Sequence, residues 1–189
     1  QQIARVIKAD KGLEIAAVDY GGWDHHTDEG PLDGNMAGHL AKISAGIGAF
    51  AEDLGPRMNN VLILVMSEFG RSVQENGNLG TDHGHGNAMF LFGRGVNGGK
   101  VYGRWPGLAP EFRNRGDLAG TTEYRDILSE ILAKRMGNDK LTEVFPDHTF
   151  NYLGLATALS GTPTGPTPEP TTPPPVETPE HKIYMPYGV

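Results

Sequence analysis

The sequence contains no cysteine. That excludes a disulfide framework and any thiolate metal site, so a metal held by this chain must take carboxylate and imidazole ligands. No basic block is present either: 16 lysines and arginines stand against 23 aspartates and glutamates, a net charge of −7. This balance argues against nucleic-acid binding driven by phosphate contacts and suits local attraction of cations. Long apolar runs are missing as well. None approaches the roughly 20 residues of a membrane span, and no signal peptide is visible. An initiator methionine is also absent. The chain opens at Gln1 in what reads as the end of a helix (Ile3, Val6, Ile7, then Gly12). It is expected to be the C-terminal piece of something longer. Its 189 residues are enough for one domain with a hydrophobic core.

What is present changes character near Ser160. Nine of the fourteen prolines fall between Pro163 and Pro186. Residues 161–182 therefore read as an extended Pro/Thr-rich linker that can form neither helix nor ladder. The last seven residues, 183–189, "IYMPYGV", are apolar and aromatic. They read either as a short segment for self-assembly or surface contact or, plainly, as a frayed terminus.

Residues 1–160 alternate between element types. Residues 13–20, "LEIAAVDY", form a short apolar run, a buried-strand signal. Met36, Leu40, Ile43, Ile47, Phe50 and Leu54 recur at spacings of three and four, one face of an amphipathic helix ended by Gly55 and Pro56. Residues 61–67 and 88–93 read as two further strands. A later helix carries Tyr124, Ile127, Leu128, Ile131 and Leu132, with Thr121 or Thr122 as its cap. Strand, helix, strand with nearly continuous apolar strands predicts a parallel unit. The expected class is α/β, a three-layer sandwich with a mostly parallel central sheet.

In open parallel sheets, ligand sites gather at the carboxyl ends of the strands. Three polar clusters lie beside the predicted strands, and they contain four of the seven histidines. Asp24 and His26, two apart in a loop, can turn an oxygen and a nitrogen to one side. Glu68 ends a predicted buried strand, where a carboxylate is costly unless paired or coordinated. Asp82 and His83 offer another oxygen–nitrogen pair. Each group also has a plain reading: a turn-forming Asp-x-His loop, a Glu68–Arg71 ion pair, an Asx turn beside a solvated histidine. Taken together they point to a site for zinc, manganese or iron, one or two ions, made by Asp24, His26, Glu68, Asp82 and His83. Ser67 and Thr81 are read as capping or turning the backbone rather than as nucleophiles. His39 is read as part of its helix's packing.

These residues carry a resemblance. "GGWDHH" (21–26), "SEFGRSVQENG" (67–77), "GTDHGHGNAMFLFGRGVNGGKVYGRWPGL" (80–108) and "TTEYRDILSEIL" (121–132) resemble the secreted bacterial family of domain of unknown function 1501, sulfatase-like and related to the alkaline phosphatase superfamily. The resemblance implies an α/β sandwich, export from the cell, and hydrolysis or transfer of phosphate or sulfate esters at two divalent metals. It implies that Asp24, His26 and His83 share one metal, and that Glu68 stands where the superfamily has a second-site aspartate. The resemblance also makes Arg71 the candidate contact for an anionic substrate, with the ion pair to Glu68 as its competing role. Phe69 departs from the histidine expected after that aspartate, which weakens the second site unless Asp82 or His85 supplies it. His25 replaces a threonine and is a bystander or an alternative ligand. The nucleophile is expected in an N-terminal half outside this chain. Two functions follow as expectations. One is the metal-binding part of an exported ester hydrolase acting on a small anionic ester or glycan. The other is a non-catalytic surface or assembly module tethered by the Pro/Thr tail.

Overall fold

The computed structural model describes residues 1–158. The linker and terminal segment expected at 161–189 lie outside the described residues. Helix α1 (Gln2–Lys8) packs on α2 (Asn35–Leu54), with Ala4 and Leu54 buried between them. Lys8 Nζ closes the contact on Asp53 Oδ1 at 2.6 Å. The apolar stripe of α2 is real, but its burial is uneven. Leu54 is buried, Ile43, Ile47 and Phe50 are half-buried, and Leu40 is exposed. A 3₁₀ turn (Gly55–Asn60) begins where Pro56 removes a backbone donor, and it leads into the first strand.

Four strands follow: β1 (Leu62–Val65), β2 (Gly70–Glu75), β3 (Thr81–Gly84) and β4 (Phe90–Gly93). They make two separate two-stranded sheets, and both are antiparallel. β1 pairs with β4, Leu62 opposite Gly93 and Val65 opposite Phe90. β2 pairs with β3 as a hairpin whose register shifts between Arg71 and Glu75. Beyond them, α3 (Tyr124–Met136) and the short α4 (Leu141–Val144) complete the helices among the described residues. No helix among the described residues is long and apolar enough to cross a membrane.

The expected three-layer sandwich with a mostly parallel central sheet is therefore overturned. A parallel pair needs a crossover, usually a helix, between its strands. What separates β1 from β4 is the β2–β3 hairpin, which folds the chain back on itself and leaves β4 antiparallel. Nor do residues 13–20 supply the expected first strand. None of their backbone N–H groups reaches a carbonyl among the described residues, and every one of these residues is exposed. Apolar patterning located the runs but carried no information about strand direction.

Burial among the described residues is most concentrated on α3, and most of its buried side chains are polar. Glu130 is 1% exposed and Ser129 is fully buried. Glu130 Oε2 accepts the N–H groups of Leu153 (2.8 Å) and Gly154 (3.0 Å), and its Oε1 accepts that of Ala156 (3.0 Å). Asp126 Oδ1 takes His148 Nε2 at 2.8 Å and the N–H of Asn151 at 2.9 Å. Two carboxylates thus hold the segment after α4 against the helix. The helix is capped by Glu123 rather than by a threonine. Glu123 accepts the Arg125 N–H at 3.3 Å, while Thr121 Oγ1 donates to the Arg104 carbonyl instead.

Candidate metal centre

Three stretches meet beside the β2–β3 hairpin. The loop at 21–30 supplies Asp24 and His26; β3 supplies Asp82 and His83; β2 supplies Arg71. Glycine permits the meeting. A Cβ on Gly80 would strike the backbone of His25 and His26, so β3 can begin against this loop only with glycine there. Thr81 then donates its N–H to the His25 carbonyl at 3.1 Å.

Asp24 Oδ1 lies 2.9 Å from His26 Nε2 and 2.8 Å from His83 Nε2. One ligand atom from each of Asp24, His26 and His83 falls within 4.8 Å of the others, a group that can hold a metal ion. The second nitrogen of His26 sits 2.9 Å from Asp82 Oδ1. With the proton on Nδ1 and directed at Asp82, Nε2 turns its lone pair toward Asp24 Oδ1. Two acceptors then face each other across 2.9 Å unless a cation or a proton lies between them. That donor set fits a divalent ion. It has a carboxylate, two imidazoles, and an outer carboxylate that fixes a ligand's tautomer.

The site lies near the surface, with Asp24, His26 and His83 side chains 54%, 44% and 50% exposed. The hydrogen bond from His83, together with the charges of His26, His83 and Arg71, holds the Asp24 carboxyl below its ordinary value against partial desolvation. Bonds from His26 and then Asn76 do the same for Asp82.

Of the residues singled out in the sequence, Asp24, His26 and His83 come together, and Asp82 stands behind His26. Glu68 does not join them; it is exposed in the corner after β1, outside the ligand group. Arg71 points inward. Its Nη1 donates to the Thr81 carbonyl at 2.7 Å, and its Nη2 donates to the Trp23 carbonyl and to Asp24 Oδ1, the latter at 3.2 Å. Its ion pair among the described residues is with Asp24, not Glu68. His25 turns its ring away, edge-on to His39 at 5.1 Å. His85 is exposed and outside the group.

Asn76 was missed. Its Oδ1 accepts the N–H groups of Asn78 and Gly80 at 2.9 and 3.2 Å, shaping the hairpin turn. Its Nδ2 reaches the His26 carbonyl at 3.0 Å and Asp82 Oδ1 at 3.2 Å. The "ENGN" turn signal marked the place but not this second role.

The family model described as protein of unknown function (DUF1501) matches residues 2–158. Comparison with curated proteins and with solved structures finds no match. The chain belongs to the DUF1501 family.

Proposed function

We propose that this DUF1501 protein carries a divalent-metal centre made by Asp24, His26 and His83, and that it is the metal-binding part of an exported sulfatase- or phosphatase-like ester hydrolase. The observation that carries this reading is the convergence of three ligand atoms from two distant stretches within 4.8 Å. Zinc suits the donors best, with manganese or iron as substitutes; bound there, it would supply Lewis-acid stabilisation to charge developing on an ester oxygen. The protein's own groups do the holding. Asp82 orients His26, Arg71 fixes Asp24, and Asn76 ties Asp82 to the hairpin turn. The half-exposed ligands leave a solvent side open to a small anionic ester or the end of a glycan. The nucleophile belongs elsewhere than Thr81, whose hydroxyl is given to Glu29 Oε2 at 2.6 Å.

A second reading, a non-catalytic surface or assembly module, has one observation in its favour. Phe90 and Phe92 stand side by side on β4, ring centroids 6.4 Å apart, and are 50% and 41% exposed. One experiment separates the two. Gently purified protein is expected to hold zinc or manganese near stoichiometry, lost in Asp24→Ala and His83→Ala, and the full-length protein that supplies the nucleophile is expected to hydrolyse aryl phosphate or aryl sulfate esters. Bound metal without turnover of either ester selects the surface module. No bound metal overturns the metal centre itself.

A further inference from the structure

His26 and His83 are held differently. The outer nitrogen of His26 is fixed by Asp82 at 2.9 Å. The only side-chain hydrogen bond of His83 among the described residues is through Nε2, the nitrogen turned to Asp24. A histidine ligand normally has its other nitrogen fixed by a carboxylate, a carbonyl or water, which sets both ring orientation and tautomer. On a half-exposed side chain the terminal ring torsion is broad and does not set itself.

Something else fixes the His83 ring. Phe69 lies face to face with it, centroids 4.1 Å apart and planes 7° from parallel. The His26 ring stacks on His83 as well, at 5.0 Å and 30°. Phe69 is itself anchored. Asn87 Nδ2 donates to the carbonyls of Ser67 and Phe69, each at 3.0 Å, and so clamps the corner between β1 and β2. The Arg71 guanidinium carbon lies over the Phe69 ring, 4.8 Å from its centroid. The contacts close a circuit: Arg71 to Asp24 at 3.2 Å, Asp24 to His83 at 2.8 Å, His83 to Phe69, and Phe69 back to Arg71.

We propose that Phe69 is the positioning residue for His83, setting by ring stacking the orientation that Asp82 sets for His26 by hydrogen bonding. This inference rests on the metal centre proposed above. It also gives Phe69 a use at the position where the resemblance led one to expect a histidine. The contact requires a flat apolar ring, so leucine cannot replace it and tryptophan can.

The test compares the unsubstituted protein with Phe69→Leu and Phe69→Trp. In each, zinc affinity is measured by calorimetry and the His83 ring-proton shifts are read by NMR without zinc. The unsubstituted protein should show those protons displaced upfield by the Phe69 ring current. Phe69→Leu should lose the displacement and bind zinc about tenfold more weakly, the lower end of what removal of an outer partner costs. Phe69→Trp should restore both. Unchanged zinc affinity in Phe69→Leu, or no upfield displacement in the unsubstituted protein, overturns this role alone. Failure of the unsubstituted protein to bind zinc overturns the metal centre and this role together.

Discussion

His26 lies between two carboxylate oxygens, 2.9 Å from Asp24 on one side and 2.9 Å from Asp82 on the other. In the proposed centre only the first is a ligand, and the second is assigned the role of setting the tautomer. Asp82→Asn should therefore keep metal binding but weaken it, by about 10- to 100-fold in zinc affinity. Glu68→Gln, outside the group, should leave the affinity unchanged; a Glu68 effect as large as that of Asp82 would mean that the ligand set has been drawn wrongly. Much at this scale was legible. Asp24, His26 and His83 are marked by short-range pattern, oxygen and nitrogen donors flanked by glycine, and Gly80 acts through the close approach that such glycines permit. Glu68 stands out in the sequence because it ends an apolar run that reads as a buried strand. In the structure β1 stops at Val65, and Glu68 stands in the exposed corner beyond it, with no burial to relieve. The inward turn of Arg71 was not legible, because its acceptors are backbone carbonyls, which any sequence supplies.

At the level of elements, α3 has the most to test. Its sequence periodicity put Tyr124, Ile127, Leu128, Ile131 and Leu132 on the packed face, yet the buried positions include Asp126, Ser129 and Glu130. A hydropathy pattern ranks carboxylates as solvent-facing. It cannot foresee that a later loop will bring three N–H groups to Glu130. Glu130→Ala orphans those donors and should destabilise the fold by about 3 kcal/mol or more, read from urea unfolding. A loss under 1 kcal/mol would mean the donors find water instead. At the N-terminus of α3, the bidentate bond from Arg125 pulls Glu123 from 4.5 down to about 2. A depressed carboxylate contributes stability that is present above its unfolded value and lost as pH falls through the folded one. Between pH 4.5 and about 2, stability should thus fall less steeply in Glu123→Gln than in the unsubstituted protein. The difference should be modest, since both side chains are about a third exposed. Parallel acid-unfolding curves would contradict the assignment.

For the whole molecule, sequence pattern located α2, α3 and the two strands β1 and β4 to within a few residues, while the architecture differed. Apolar runs report burial on a sheet but not whether neighbours run parallel, and a short run bounded by glycine also describes extended chain with no partner. Residues 13–20 are that case, with Ile15 66% and Val18 71% exposed. Amide exchange tests the distinction, because unpaired backbone exchanges at nearly the open-chain rate. Amides of 13–20 should exchange fast, while those of β1 and of residues 153, 154 and 156 should be protected. Protection across 13–20 would restore the strand. The proposed metal centre rests on a smaller part of the molecule, the convergence of a loop and one hairpin strand, and does not need a parallel sheet. X-ray absorption at the zinc edge of the zinc-loaded protein reports those ligands most directly. The structure predicts two imidazoles, at about 2.0–2.1 Å with their characteristic outer scattering, together with oxygen donors. An all-oxygen shell, or one unchanged by His83→Ala, would contradict it.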